Sequence, residues 1–195
     1  ARIAGQLAGG KAGHERYPLG NDCVLYTLQE AENALAHWQA TIGDSTDLQF
    51  IATATGTLIN TLGARQQELY GKGSLVNKTP EISRFAGGLR QCLGACRIIY
   101  LVRDGLQVVA SGYRLEWGSI ETLSRNWKGL LELTREQMRE HQEDYLELHY
   151  EELVQDPAKV LRRILLFCGH ADDASAIVDK YCMQYGKTAF DVTRL

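Results

Sequence analysis

The sequence predicts an α/β fold of three layers, a parallel sheet flanked by helices. Three observations carry this expectation. Ile98-Ile99-Tyr100-Leu101-Val102 is a short, continuous apolar run rich in β-branched residues, the pattern of a strand buried on both faces. Ser74-Leu75-Val76-Asn77 and Tyr145-Leu146-Glu147-Leu148-His149-Tyr150 read as two further short strands. The segments around them have helical spacing, and strands that alternate with helices build parallel sheets. At 195 residues, one sizeable core is the natural expectation, so 1–195 is read as a single domain.

Taken in order, residues 1–22 carry too many breakers for a periodic element: Gly5, Gly9, Gly10, Gly13, Gly20 and Pro18. Gly5 to Ala12 resembles a phosphate-binding loop, with Ala12 where a Ser or Thr would ligate magnesium and no apolar strand before it. From Leu25 to about Thr41, Leu28, Ala31, Leu35 and Trp38 recur at helical spacing. Gly43-Asp44-Ser45-Thr46 breaks this helix and can cap the next, expected from about Asp47 to Tyr70 with Gly71 as its stop. Pro80 ends the Ser74–Asn77 strand and can open a helix that buries Ile82, Phe85 and Leu89.

After Arg103-Asp104-Gly105 the spacing turns helical again, with Leu106, Val109, Ala110 and Tyr113 on the expected inner side. Ser119 should cap a long helix to about His141, its stripe running from Ile120 through Trp127 and Leu131 to Met138. Glu151-Glu152-Leu153 begins a helical turn. Asp156-Pro157 is a clear helix start, cap then proline, for a helix that buries Val160, Leu161 and Ile164 and stops at Gly169. A last short helix is expected from Ala171 to about Met183.

Composition narrows the partners. The net charge of -3, with acids and bases interspersed, argues against electrostatic capture of nucleic acid. No apolar run reaches the roughly 18 residues that span a bilayer, and the first residues have no signal-peptide core. Five cysteines, dispersed and odd in number, make neither a disulfide framework nor a zinc site. Free thiols favour a cytoplasmic setting. Nothing in the sequence reads out an oligomeric state.

The chemistry concentrates at strand ends. An arginine at the carboxyl end of a strand, running straight into a helix, sits where open α/β sheets bind ligands. Arg103 holds that position, and Ser111 lies two helical turns on, so a guanidinium and a hydroxyl can share an anion such as a phosphate. The competing reading is a salt-bridged strand end beside a surface serine. Lys78 is expected at the end of the neighbouring strand, on the same sheet edge.

Val76-Asn77-Lys78-Thr79-Pro80, then Tyr100 to Gly105 with Ser111, then His149 to Pro157, occur in an order and spacing similar to sulfotransferases. These enzymes use 3′-phosphoadenosine 5′-phosphosulfate (PAPS). The likeness spans about Ser74 to Gly169 and is strongest to the branch of protein-tyrosine sulfotransferases and their bacterial relatives. It implies a sulfotransferase-like fold with a P-loop-NTPase-like sheet. It also implies that Arg103 and Ser111 bind the 3′-phosphate, and that Lys78 binds at the transferring sulfuryl group and neutralises charge on the leaving phosphate. The co-substrates implied are a nucleotide and a hydroxyl-bearing acceptor (carbohydrate, lipid or tyrosine), with no metal. The family's base is a glutamate; Glu30 is the nearest positional candidate, followed by Glu32 and Glu15, with His149 chemically able. The family's Gly-, Arg-, Ser- and Thr-rich loop for the 5′-phosphosulfate and its later adenine-covering segment are expected to be lacking here. Two other readings stay open: a catalytically inactive PAPS- or PAP-binding module, and a P-loop kinase using Gly10-Lys11. Animal relatives of this branch work in the Golgi lumen behind an anchor, the alternative to a cytoplasmic setting.

Overall fold

A computed structural model describes residues 28–71, 73–171 and 174–185, and the chain divides into two compact units. The first takes Ala1–Pro80 with Gly88–Gly94, the second Glu81–Gly87 with Ala95–Leu195. The expectations placed on Gly5 to Ala12 and on Glu15 lie outside the described residues.

The first unit is built on a helical hairpin, α1 (Leu28–Ile42) and α2 (Leu48–Tyr70). The Asp47 carboxylate accepts from the backbone N–H groups of Gln49 and Phe50 and so starts α2. Gly71 ends it in the left-handed conformation at φ 57°, with its N–H on the last carbonyls. Trp38 Nε1 donates to Thr55 Oγ1 at 3.2 Å and Arg65 pairs with Glu30 at 3.3 Å, contacts that set the two helices antiparallel. Ile51, Leu58 and Leu62 are only half-buried; among the described residues of α2 the buried ones are Gly56 and Gly63. These lie seven apart, on one face. A Cβ on Gly56 would collide with the carbonyl of Cys92 in helix α3 (Ala86–Leu93), and one on Gly63 would come within 2.8 Å of the Leu75 side chain.

Ser74–Asn77 is not a strand. Residues 74–79 have no regular structure, and Val76 is 86% exposed. A strand of this length needs a neighbouring strand, and the sheet of the described residues does not include it. Local bonding wins instead: Thr79 Oγ1 donates to Asn77 Oδ1 at 2.8 Å, and Pro80 removes a ladder donor. Pro80 does open helical structure, but as a 3₁₀ turn, Pro80–Phe85, ahead of α3. Its three-residue period turns Ser83 and Ala86 inward and leaves the expected core residue Phe85 62% exposed.

The second unit holds a two-stranded parallel sheet, the sheet of the described residues: β1 (Ile98–Val102) pairs with β2 (Tyr145–His149), Ile98 opposite Tyr145 and Val102 opposite His149. Parallel pairing requires a crossover, supplied by helices α4 (Gly105–Arg114) and α5 (Ile120–Gln137). Helices α6 (Tyr150–Gln155), α7 (Pro157–Phe167) and α8 (Ala174–Tyr185) follow β2. The molecule is therefore helix-rich α/β. Burial of β1 on both faces does not hold: Ile99 and Leu101 are 39% and 44% exposed, while Val102 and Leu148 enter a core shared with Val109, Leu131, Met138, Val160 and Val178. The caps are as expected, Ser119 Oγ accepting from Thr122 N, and Asp156 Oδ1 from Lys159 N ahead of Pro157.

The inner face of α4 differs from expectation. Leu106 is 83% and Tyr113 57% exposed, and the face turned inward carries Gly105, Val109 and Gly112. A Cβ on Gly105 would stand 3.0 Å from the Trp127 ring and one on Gly112 3.2 Å from Leu123, so glycine lets α5 approach closely. Trp127 thus packs as expected, whereas Tyr113 and Trp117 lie largely exposed.

A charged cluster ties α5 to β2. Arg135 donates through Nε and Nη2 to the two oxygens of Glu147 at 2.9 and 2.6 Å, and Tyr145 Oη donates to the same carboxylate at 2.8 Å. The arginine hydrogen bonds hold the Glu147 carboxyl below its ordinary value of 4.5, against a smaller opposing effect of burial. A carboxyl depressed in the folded state stabilises above its unfolded pKa, and that stability is lost as pH falls through the folded value. Chemical denaturation of wild type and Glu147→Gln should therefore differ by about 1 kcal/mol near neutrality, and the two should converge below about pH 4. A gap that persists in acid would assign the effect to packing.

Candidate functional site

β1 ends at Val102, and the next two residues form a tightly held corner. The Asp104 side chain accepts from Gln107 N at 3.0 Å and caps α4. The Asp104 N–H donates to Glu151 Oε1 at 3.0 Å, which pins the corner to the first turn of α6. Both strand ends are thereby fastened together beyond the last ladder pair, Val102 with His149.

Arg103 stands between these anchors. Its guanidinium lies 4.7 Å over the Tyr150 ring, an attraction of about 0.5–1 kcal/mol. Nε and Nη2 donate to Gln107 Oε1 at 3.1 and 2.9 Å. Among the described residues no carboxylate pairs with it. The salt-bridged strand end is therefore not what this corner is. Arg103 is a half-buried cation, fixed by a ring and an amide, with its charge left for something else. Ser111 is half-buried and follows Gln107 by one helical turn, so the two share a side of α4. Among the described residues nothing hydrogen-bonds its hydroxyl.

Lys78 and Glu30 belong to the first unit. Lys78 is exposed on the irregular segment before Pro80, so the strand-end reasoning that set it on the same sheet edge as Arg103 falls with the strand. Glu30, in the first turn of α1, is 39% exposed and paired with Arg65, which also reaches Glu68. The Arg65 guanidinium is pushed above its ordinary pKa by these hydrogen bonds, Glu30 first. Glu32 is half-buried on the same helix. His149 is exposed at the end of β2, not packed as its strand context predicts, because the strand stops there and α6 begins.

Gln107, Tyr150 and Glu151 organise the corner. Tyr150 and Glu151 hold Arg103 and Asp104 only because β1 pairs with β2. Gln107 carries a local signal, four residues after Arg103 on a helix. Among the described residues no cluster of three His, Cys, Asp or Glu side chains could hold a metal ion, Cys92, Cys96 and Cys168 form no disulfide, and no helix is long and apolar enough to cross a membrane.

A family model described as "Sulfotransferase family" matches residues 11–174. The match begins well before Ser74, so the likeness reaches far beyond the three motifs that first revealed it. No curated protein and no solved structure matches the chain. With a match over most of its length, the chain belongs to the sulfotransferase family.

Proposed function

We propose that this member of the family transfers a sulfuryl group from PAPS to the hydroxyl of a carbohydrate, lipid or protein tyrosine. The single observation that carries the nucleotide part is Arg103: a strand-end guanidinium with no carboxylate partner among the described residues, held over Tyr150 and beside a half-buried serine hydroxyl. A planar fork of donors is the chemistry that recognises a phosphate. Arg103 and Ser111 therefore bind the 3′-phosphate.

PAPS supplies an activated sulfuryl group; the remaining steps are the protein's. The acceptor oxygen forms a bond to sulfur while the bond from sulfur to the 5′-phosphate oxygen breaks, and the acceptor proton passes to a base. Lys78 neutralises the charge that grows on the departing phosphate oxygen. Glu30 is the proposed base, and takes up that role by releasing Arg65. No metal enters: transfer of this kind depends on positioning and electrostatic stabilisation.

The test is thermal unfolding with 3′-phosphoadenosine 5′-phosphate (PAP) and with ADP. At a hundredfold excess over Kd, a specific ligand adds about 2.7 kcal/mol. PAP is expected to raise Tm by several degrees and ADP to leave it unchanged. Equal responses, or a response to ADP with magnesium alone, overturn the assignment and favour the kinase reading. Stabilisation by PAP with no label transfer from PAPS to any hydroxyl acceptor identifies an inactive binding module.

A further inference from the structure

The hydrogen-bond arithmetic at Arg103 gives a role to a residue that no motif singled out. We infer that Gln107 is a positioning residue for the 3′-phosphate: it fixes the Arg103 guanidinium and turns its own amide nitrogen toward the same anion. This inference rests on the proposed PAPS-dependent function.

A guanidinium has five N–H donors and no acceptor. Whichever end of the Gln107 amide faces it must therefore be the carbonyl, and Oε1 does accept from both Nε and Nη2, at 3.1 and 2.9 Å. This engages one edge of the fork. The other edge, Nη1 with the second hydrogen of Nη2, stays available for a bidentate phosphate. The amide NH₂ of Gln107 is left with both hydrogens for a ligand.

Three elements then converge on one side of α4. Arg103 precedes the helix, Gln107 lies in its first turn, and Ser111 stands one turn further on, at intervals of four residues. All three present donors to an anion. Tyr150 supports the guanidinium from its face at 4.7 Å while Gln107 supports it from its edge. An arginine side chain loses up to about 2 kcal/mol of rotamer entropy when it is immobilised. Here part of that ordering is complete before a ligand arrives, which is preorganisation in the ordinary sense.

The alternative is competition. Gln107 Oε1 occupies an edge that a phosphate could also use, so a mere latch would have to be displaced and its removal would tighten binding. The two roles predict opposite signs. Calorimetric titration of PAP and of adenosine 5′-phosphate, which lacks the 3′-phosphate, into wild type, Gln107→Ala and Gln107→Asn separates them. Gln107→Ala is expected to weaken PAP about fivefold and leave adenosine 5′-phosphate unchanged. Gln107→Asn, one methylene too short to reach Arg103, should behave like the alanine variant. Because Gln107 is exposed, neither change threatens the fold. A wild type that prefers PAP, together with variants that bind PAP equally or more tightly, overturns the role of Gln107 alone. A wild type with no preference for PAP over adenosine 5′-phosphate overturns the nucleotide assignment and this inference with it.

Discussion

Replacing Arg103 with Ala is expected to remove most of the stabilisation by PAP while leaving the fold intact. The guanidinium pairs with no carboxylate among the described residues, so its removal strands no buried anion. What the protein loses is the stacking on Tyr150 and the bonds to Gln107, together about 1 kcal/mol at this half-exposed position. What the ligand loses is larger. A bidentate, charge-assisted contact to phosphate is worth about 2–4 kcal/mol, a roughly 30- to 1,000-fold drop in affinity. Thermal unfolding at a PAP concentration about a hundredfold above the wild-type Kd should then show a stabilisation for Arg103→Ala cut to about a third of the wild-type value or less. Arg103→Lys should recover only a fraction, because an ammonium lacks the fork and the flat face that rests on Tyr150. A full PAP response in Arg103→Ala would remove the 3′-phosphate site from this corner.

The largest effect on stability is expected from Gly56→Ala. In a helix this exchange ordinarily gains about 1 kcal/mol. Here the sign reverses, because the new methyl would meet the carbonyl of Cys92. That neighbour is backbone, with no rotamer to escape into, so α2 and α3 would have to separate. Overpacking of this kind costs about 1–3 kcal/mol and occasionally more, and the present case belongs at the upper end because the clash is with main chain. Urea denaturation should show the midpoint falling accordingly, with the loss confined to the first unit. Gly129→Ala is the control. Gly129 lies in α5 with nothing within 4 Å of the added methyl, so this variant should be stabilised by up to about 1 kcal/mol. If Gly56→Ala is as stable as Gly129→Ala, the close approach of α2 to α3 is wrong.

These glycines also explain where the sequence could be read and where it could not. Helix ends were legible because their signals are local. Ser119 and Asp156 each satisfy an N–H group three residues away, Gly71 takes a conformation that only glycine adopts cheaply, and the cap of α2 falls on Asp47, one residue past the expected Gly43–Thr46 break. The inner faces of α2 and α4 were not. In α4 the apolar stripe of Leu106, Val109, Ala110 and Tyr113 was the obvious inner face, yet of these Val109 alone is buried, and Gly105 and Gly112 are what admit Trp127 and Leu123. In α2, Gly56 and Gly63 play the same part. Hydrophobic periodicity finds the face with most to gain from burial. Which face is buried also depends on how closely a neighbour can come, and that is a property of the pair. Glycines seven apart within a helical pattern were the signal available.

The strands divide in the same way. Ile98–Val102 and Tyr145–His149 found each other, so their apolar patterns sufficed. Ser74–Asn77 has a similar pattern but joins no sheet among the described residues, and Thr79 bonds locally to Asn77 instead. A strand is half of a hydrogen-bonded object, so five apolar-leaning residues state a preference and the partner decides it.

By itself, then, the sequence determined the helix-rich α/β class, the helix termini, the order of the motifs and the family to which they belong, all of which rest on short-range chemistry or on residues counted along the chain. The tertiary structure decided the rest. It put Tyr150 under Arg103, Glu151 on the Asp104 N–H and Arg65 against Glu30, contacts that span 47, 47 and 35 residues. It also showed a strand-end arginine supported by a ring and an amide in place of a carboxylate. No local pattern encodes such pairings, because the energy of a long-range contact depends on what the rest of the fold delivers to the other side.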